Sequence, residues 1–439
     1  MNTEDAELIS SLMHGDASAF EGTTAAHSLG WLHHPERYLT EWLDDIEQCL
    51  PRHHEQTVLL GMGGSSSPAR FYAESRSDST LRVLDTSNPD TVSHVDFSTV
   101  NVIASSKSGA TIETQTLLAH ALASGLEPAD LVIITDPGTS LAELGRSLGA
   151  TVVEGDPMTG GRFSSLSPYG LVPALYSGWS GSGLREALAG CSLTRELIEG
   201  ALSEATRIAR DTIDGQGFFE LGADPITNGG ALWLEQLMAE TTGKQGRGVI
   251  PLPSTDAVEI HVSSMQHHHL VAALVARFLG VDPFNQPDVD DAKSNVFALL
   301  RESVPRDSHG YERKEMLEAL RSSNYIAVQA YVPLEDSKGV SDLRIRMNAV
   351  YGATTANLGP RYLHSTGQLH KGGPQGVVGV QIIQRPKSTP VRISGRHYSF
   401  HDLHMAQAHS DYQAMNAARR SVYQLIVDDL DEAALILDV

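Results

Sequence analysis

A short apolar run leads into a turn of small polar residues in two stretches of the sequence: TVLLGMGGSSS at 57–67 and NVIASSKSGATIET at 101–114. Unbroken apolar runs of this length are typical of strands covered on both faces. Each turn is followed by residues with helical spacing. The two stretches therefore predict strand–turn–helix units, with their polar turns at the carboxyl ends of a parallel sheet, where such sheets bind ligands.

The same alternation continues through the first part of the chain. Further short apolar runs at 81–85, 131–135 and 151–153 are bounded by Gly, Pro, Asn or Ser, and residues 112–124 and 140–148 have apolar spacing suited to helices. Strands that alternate with helices form parallel sheets with right-handed crossovers. We expect a doubly wound α/β unit here.

The second part of the chain has the same ingredients in a less regular order. Its predicted strands are 259–262, 325–332 and 377–383. Its predicted helices are 232–241, 270–279 and 404–430. The predicted fold is therefore α/β, with two doubly wound parallel-sheet subdomains and a helical C-terminal tail. We place the N-terminal subdomain at 1–185 and the C-terminal subdomain with its tail at 186–439.

Composition excludes several classes of protein. The 439 residues include 32 Lys and Arg against 54 Asp and Glu, a net charge of −22. Such a chain repels nucleic-acid phosphates and anionic lipids, so neither is an expected partner. Cys49 and Cys191 are too few for a disulfide framework or a thiolate zinc site. With an acidic N-terminus unlike a signal peptide, the sequence predicts a cytoplasmic location.

Both turns have the chemistry of a phosphate-ester site. Glycines let backbone N–H groups approach an anion, a following helix N-terminus adds positive potential, and hydroxyls and a lysine complete the shell. Neither turn has the spacing of a Walker loop or a dinucleotide fingerprint. The predicted phosphate ligands are Gly63, Gly64, Ser65, Ser106, Lys107, Ser108 and Thr111.

The segment SSKSGATIETQT at 105–116 is very similar to the phosphosugar-binding turn of the sugar isomerase (SIS) family. The whole chain resembles the glucose-6-phosphate isomerase family, in particular the isomerase half of bacterial transaldolase/isomerase fusions. The blocks that carry the resemblance are GMGGSSSPA at 61–69, SKSGATIET at 106–114, GGRFSSLSPYGLVPA at 160–174, LWLEQLMAETTGKQGRGVIP at 232–251, DPFNQPDVDDAKSN at 282–295 and GPRYLHSTGQLHKGGPQG at 359–376. The resemblance implies two SIS-type, flavodoxin-like αβα sandwiches.

The resemblance also implies catalytic roles for matching residues. Aldose–ketose isomerisation through an enediol needs a carboxylate base and a cation beside the developing oxyanion. Glu240 in MAETTGK matches the family base, and Arg162 in GGRFS matches the arginine that stabilises the enediolate. Lys371 in HSTGQLHKGG matches the lysine of ring opening. His364 and Gln368 in the same block are predicted phosphate or substrate contacts.

The family's ring-opening histidine lies at a helix start and serves a neighbouring subunit. Counting back from the DPFNQP block aligns it with His269, and His267 is the alternative. The triplet 267–269 does not predict a metal site, because adjacent helical residues point in different directions.

The resemblance implies an isomerase, of the glycolytic and gluconeogenic kind, that interconverts glucose 6-phosphate and fructose 6-phosphate without cofactor or metal, as a homodimer. Two alternatives stay open at this stage. One is an isomerase of a pentose, amino or longer-chain sugar phosphate. The other is a phosphosugar sensor without catalytic activity, against which the presence of Glu240, Arg162 and Lys371 argues.

Overall fold

The computed structural model describes residues 3–20, 24–215, 217–254, 260–288, 290–301, 304 and 310–439, with side chains except at 290–294. The strands are β1 (Thr57–Gly61), β2 (Leu81–Leu84), β3 (Asn101–Ser105), β4 (Leu131–Thr135), β5 (Thr151–Glu154), β6 (Phe218–Leu221), β7 (Ile250–Pro253), β8 (Tyr325–Tyr331), β9 (Thr354–Leu358), β10 (Val377–Gln384) and β11 (Ser421–Val427). The helices are α1 (Thr3–Met13), α2 (His34–Tyr38), α3 (Glu41–Cys49), α4 (Ser67–Glu74), α5 (Pro89–Ser93), α6 (Ile112–Ala123), α7 (Ser140–Leu148), α8 (Pro168–Tyr176), α9 (Gly181–Ala187), α10 (Arg195–Ile213), α11 (Gly229–Thr242), α12 (Met265–Phe278), α13 (Asp290–Arg301), α14 (Arg313–Ser322), α15 (Ser337–Tyr351), α16 (Gly367–Gly372), α17 (Phe400–Ala417) and α18 (Leu430–Leu437). None of the helices in these ranges is long and apolar enough to cross a membrane.

The first sheet has the order β2-β1-β3-β4-β5, and all its neighbouring strands are parallel. Successive residues of β3 pack into different cores, Ile103 on one face and Val102 and Ala104 on the other. Burial of both faces explains why these strands read as unbroken apolar runs. The predicted doubly wound α/β fold is confirmed.

The second sheet is also parallel, with the order β11-β10-β8-β9. The predicted strands at 325–332 and 377–383 correspond to β8 and β10, whereas β9 and β11 were not predicted. A separate parallel pair, β6 and β7, lies between the two sheets in the chain order. The division of the chain at 185/186 stays a prediction.

Two of the predicted elements differ from the structure. The tail is helical in α17 and α18, but the continuous helix expected over 404–430 is wrong, because β11 lies between them. The chain leaves α17 through Arg419, whose φ is +57°, and the run SVYQLIV is rich in the β-branched and aromatic residues that favour strands. The strand expected over 259–262 includes Glu259, which lies outside the described residues, and Val262–Ser264 form a 3-10 turn.

Helix α11 is buried along its whole length, from Gly229 to Thr242. Its N-terminus is capped by the Asn228 side chain, which accepts a hydrogen bond from the N–H of Ala231. The helix contacts α4, α12 and α16, so elements from both halves of the chain enclose it. An acidic side chain on this helix that does not line a cavity is therefore removed from water.

Glu235 of α11 shows the effect of this enclosure. Its carboxyl accepts a hydrogen bond from Asn357 Nδ2 at 2.7 Å, while the other carboxyl oxygen, Oε1, is buried and has no hydrogen-bond partner among the described residues. Burial raises the pKa of Glu235 to about 8. At neutral pH the side chain is therefore protonated in the folded protein and ionised in the unfolded chain.

We expect Glu235→Gln to stabilise the protein at alkaline pH and to have little effect near pH 5. The unfolded chain loses its proton near pH 4.5 and the folded protein only near pH 8, so the wild type loses stability as pH rises through this window. At about 1.4 kcal/mol per pH unit, the free energy of unfolding of the variant, relative to wild type, increases by about 3 kcal/mol between pH 5 and pH 7.5. Urea unfolding at pH 5 and pH 7.5 measures the difference. Exposed Glu186→Gln is the control, and an equal gain at both pH values would contradict the prediction.

Candidate active site

A cavity of about 440 Å³ opens at the carboxyl ends of β1 and β3, beside the end of α11. We call it the Glu240 cavity. It brings together many of the residues predicted from the sequence, which come from segments as far apart as the turn after β1 and the turn after β9. Its lining includes Met62, Gly63, Gly64, Ser65, Lys107, Ser108, Thr111, Asp136, Arg162, Gln236, Glu240, Phe284, Gln286, Leu363, His364 and Ser365.

Glu240 and Arg162 form a buried pair in the wall of this cavity. Arg162 Nη2 lies 3.3 Å from Glu240 Oε1, and Arg162 Nη1 donates a hydrogen bond to the backbone carbonyl of Glu240. Arg162 Nη2 also donates to the carbonyl of Asn285 at 3.2 Å. Burial lowers the pKa of Arg162, while the charge of Glu240 opposes that shift. The guanidinium is held rigidly beside the carboxylate that the sequence predicts to be the base.

Gln236 orients the other side of the Glu240 carboxylate, and the sequence prediction did not include it. Its Nε2 donates to Glu240 Oε2 at 3.1 Å and to the carbonyl of His364 at 3.0 Å, while its Oε1 accepts from Ser67 at 2.6 Å. Residues four apart on a helix face the same side. The spacing QLMAE was the signal that could have revealed this residue.

The turn after β3 contributes Lys107, Ser108 and Thr111 to the lining. Lys107 Nζ donates to Asp136 Oδ2 at 2.6 Å and to the carbonyl of Asp156 at 2.7 Å. Ser106 does not line the cavity, and its hydroxyl donates to Thr111 Oγ1 at 2.9 Å. Ser106 therefore supports the turn in this conformation, while its neighbours face the cavity.

The turn after β1 requires glycine because other backbone segments lie against it. Gly63 has φ +55°, and a Cβ there would lie 2.6 Å from the carbonyl oxygen of His364. A Cβ on Gly64 would lie 2.1 Å from the carbonyl oxygen of Gly161 and 3.0 Å from the nitrogen of Arg162. Gly64 thus allows the loop that carries Arg162 to reach the cavity.

We expect Gly64→Ala to lower kcat/KM by about 100-fold or more, because the added methyl group must displace the loop that carries Arg162. Shifts of about 1 Å at an active site lower catalytic rates by about this factor. Steady-state kinetics on the proposed substrate measures the loss. Gly200→Ala in α10 is the matched control, since its new Cβ would have its nearest neighbour at 3.8 Å. Full activity of Gly64→Ala would show that the loop position does not matter.

Lys371 lies outside the Glu240 cavity. Its Nζ forms a 2.6 Å ion pair with the buried carboxylate of Asp411. It lines a second cavity of about 240 Å³, which we call the Lys371 cavity and which also includes Glu113, Phe297 and Gln407. The two cavities share Ser108, Thr111, Leu363 and His364 as a common wall. The predicted role of Lys371 in ring opening stays a prediction, and this geometry does not place the lysine beside Glu240.

His269 and Gln368 are also outside the cavity. His269 is fully buried, packs against the rings of Trp31, Phe163 and Trp233, and lies 3.1 Å from Ser165 Oγ through its Nε2. Burial keeps its pKa well below the usual range. A ring enclosed in the core of its own chain cannot reach a neighbouring subunit.

Gln368 is equally enclosed. Its Nε2 donates to the carbonyl of Gly243 at 3.0 Å, and its Oε1 accepts from the backbone N–H of Asp288 at 3.1 Å. Gln368 thus joins α16 to the end of α11 and to the segment that carries Phe284 and Gln286. It supports the cavity wall without lining it.

His364 does line the cavity, as the resemblance implies. Its Nε2 lies 2.9 Å from Oε1 of the buried Glu113, and its side chain is 19% exposed. Further lining residues that were not predicted are Asp136, Phe284 and Gln286. The last two lie in the DPFNQP block, for which the resemblance implies no role. Among the residues with described side chains, no three His, Cys, Asp or Glu residues form a metal-binding group.

Comparison with known proteins extends the resemblance. Over 71% of its length the chain is 28% identical to a glucose-6-phosphate isomerase of Cyanothece sp., and the match spans 58% of that relative. It is 26% identical to a probable glucose-6-phosphate isomerase of Natronomonas pharaonis, over 67% of this chain and 69% of the relative.

No family model matches the chain. Among solved structures, the chain aligns with the C-terminal domain of glucosamine-fructose-6-phosphate aminotransferase from Francisella tularensis, over 97% of this chain and 99% of that one at 12% identity. The TM-score of this alignment is 0.35, which is too low to support an argument. Sequence similarity thus identifies the chain as a distant homologue of proteins named glucose-6-phosphate isomerase.

Proposed function

We propose that this chain is a sugar-phosphate aldose–ketose isomerase that interconverts glucose 6-phosphate and fructose 6-phosphate. The observation that carries the proposal is the contact between Glu240 and Arg162, 3.3 Å apart in a cavity that also holds two Gly/Ser turns and Lys107. A base, a cation beside it and an anion-binding surface are the groups that an enediol reaction on a phosphate ester needs. The names of the relatives point to the same reaction.

The proposed chemistry moves one proton between adjacent carbons, while one hydroxyl proton passes between the two oxygens that these carbons carry. Glu240 removes the proton from the carbon next to the carbonyl of the open-chain sugar and returns it to the neighbouring carbon. The enediolate that forms between these steps carries negative charge on oxygen, which the guanidinium of Arg162 stabilises. Gln236 holds the carboxylate in place. Ser65, Lys107, Ser108 and Thr111 are proposed to bind the phosphate, with the backbone of Gly63 and Gly64.

Isomerisation in D2O tests this function. Purified protein is incubated with fructose 6-phosphate in D2O, and the deuterium content at C2 of the product glucose 6-phosphate is followed by NMR. The proposal expects product that carries deuterium at C2. Parallel reactions with ribulose 5-phosphate and glucosamine 6-phosphate test the alternative substrates. Binding of fructose 6-phosphate without product or exchange would favour a sensor instead.

We also propose, from the resemblance, a homodimer that acts in the cytoplasm, in glycolysis and gluconeogenesis. Sedimentation equilibrium of the purified chain measures the assembly. These expectations stay predictions, and the chemistry at Glu240 does not depend on them.

A further inference from the structure

The lysine and the arginine that line the Glu240 cavity among the described residues are both paired with carboxylates of the same cavity. Arg162 contacts Glu240 at 3.3 Å, and Lys107 Nζ donates a hydrogen bond to Asp136 Oδ2 at 2.6 Å. The formal charges of these four side chains therefore sum to zero. A phosphate ester, which carries about −1.5 to −2 charges at neutral pH, must share one of these cations with a carboxylate.

Asp136 is fixed beside the turn after β3 by contacts that do not involve the Lys107 side chain. Its backbone N–H donates to the carbonyl of Lys107 at 3.2 Å, and the Tyr169 hydroxyl donates to its Oδ1 at 2.8 Å. Burial, together with the negative charge of Asp136, raises the pKa of Tyr169, so the phenol keeps its proton and remains a donor. The carboxylate therefore stays at the cavity wall even when the Lys107 side chain moves toward a ligand.

The Lys107 ammonium can bind a phosphate only while it remains close to Asp136. Its Nζ also donates to the carbonyl of Asp156 at 2.7 Å, and an ammonium has three hydrogens, so one is left for a phosphate oxygen. Two acceptors of one ammonium, each at about 2.8 Å, lie at most about 5.6 Å apart. Salt does not screen charges at this separation, because the Debye length is about 8 Å at physiological ionic strength. A phosphate bound to Lys107 is therefore repelled by Asp136.

We propose that Asp136 is a positioning residue that competes with the substrate phosphate for Lys107 and so limits the affinity of the Glu240 cavity for phosphate esters. The inference rests on the proposed function, because it concerns the phosphate site of that function. The phosphate does not react, so a weaker hold on it affects the bound substrate and the transition state alike. Asp136 thus raises KM without lowering kcat, and it weakens the binding of the product by the same factor.

Asp136→Asn tests this inference, because it keeps the shape of the side chain and removes the charge. We expect the dissociation constant for inorganic phosphate, measured by phosphorus NMR titration, to fall by about 10-fold. KM for fructose 6-phosphate should fall by a similar factor while kcat does not rise. This gain in affinity is decisive, since a variant with a disturbed structure would bind phosphate less tightly.

Two further variants complete the experiment. Lys107→Met removes the shared cation and should raise the dissociation constant for inorganic phosphate by about 10-fold or more. Asp44→Asn is the matched control, because Asp44 forms a 2.7 Å ion pair with Arg185 at the surface, away from the cavity. It makes the same change from carboxylate to amide and should alter neither phosphate affinity nor KM.

The outcomes separate this inference from the proposed function. If wild type isomerises fructose 6-phosphate but Asp136→Asn binds phosphate no more tightly, the inference is wrong and the function stands. If Asp136→Asn binds phosphate more tightly and wild type isomerises none of the sugar phosphates, the inference stands and the function is wrong. Unchanged phosphate affinity in Lys107→Met would overturn the inference, because Lys107 would not be the shared cation. Circular dichroism shows whether each variant is folded, and Asp136→Ser provides the same comparison if Asp136→Asn is not.

Discussion

Replacing Glu240 by glutamine is expected to lower kcat for isomerisation by about 10³-fold while substrate affinity changes by less than about 3-fold. Glutamine has nearly the same shape as glutamate but cannot accept the proton, and general-base catalysis is worth about 10²–10⁴-fold. The turns that are proposed to bind the phosphate do not depend on this side chain. Deuterium exchange in D2O should disappear together with the turnover.

The control for this variant is available on the same helix. Glu235→Gln makes the same chemical change five residues earlier, at a side chain that does not line the cavity, and should leave kcat unchanged. If Glu240→Gln kept its exchange activity, the base would have to be another carboxylate. Asp136 is the other carboxylate that lines the Glu240 cavity among the described residues, but its oxygens already accept from Lys107 and from Tyr169, the latter at 2.8 Å.

Replacing Arg162 by lysine is expected to lower kcat by about 10²-fold, even though the positive charge is kept. One guanidinium nitrogen, Nη1, donates a hydrogen bond to the backbone carbonyl of Glu240. The other, Nη2, contacts the Glu240 carboxylate and donates to the carbonyl of Asn285. One ammonium group cannot make these contacts together. Loss of one preorganised donor to a developing oxyanion costs about 10²–10³-fold in kcat.

Steady-state kinetics in both directions measures this effect, because a group that stabilises the enediolate must affect forward and reverse turnover alike. Arg185→Lys is the matched control, since Arg185 forms a surface ion pair with Asp44 at 2.7 Å, away from the cavity. An increase in KM at constant kcat would contradict the assignment and show that Arg162 only binds the substrate.

Residues close in sequence account for the predictions that agree with the structure. The central strands of the first sheet, β1, β3 and β4, were predictable because each is a short run of mainly apolar residues that is buried throughout, a property of the run itself. Strand β9 was not, since TTANL contains polar residues whose partners are distant: Asn357 donates to Glu235, 122 positions away. The motif residues around Glu240 and Arg162 belong to blocks long enough to carry the family resemblance.

The candidate site shows the same difference between what neighbouring residues reveal and what distant contacts decide. His269 precedes the DPFNQP block and His364 lies within the block at 359–376, and nothing in their neighbours' identities tells which one is buried. His269 is enclosed by Trp31, Phe163 and Trp233, which come from three separate segments. His364 lines both cavities, and its ring contacts Glu113, 251 positions earlier, which lines the Lys371 cavity.

By itself the sequence determined the alternation of strands and helices and the two polar turns, and it predicted Glu240 as the base and Arg162 as its arginine. Apolar runs, helical spacing and glycine-rich turns act over a few residues, so their effects can be read from neighbours along the chain. Only the tertiary structure decided that Gln236 joins Glu240 to His364, that Lys371 pairs with Asp411 and that His269 lies in the core. These outcomes depend on which distant segments pack together, because burial and hydrogen-bond partners are properties of the assembled fold.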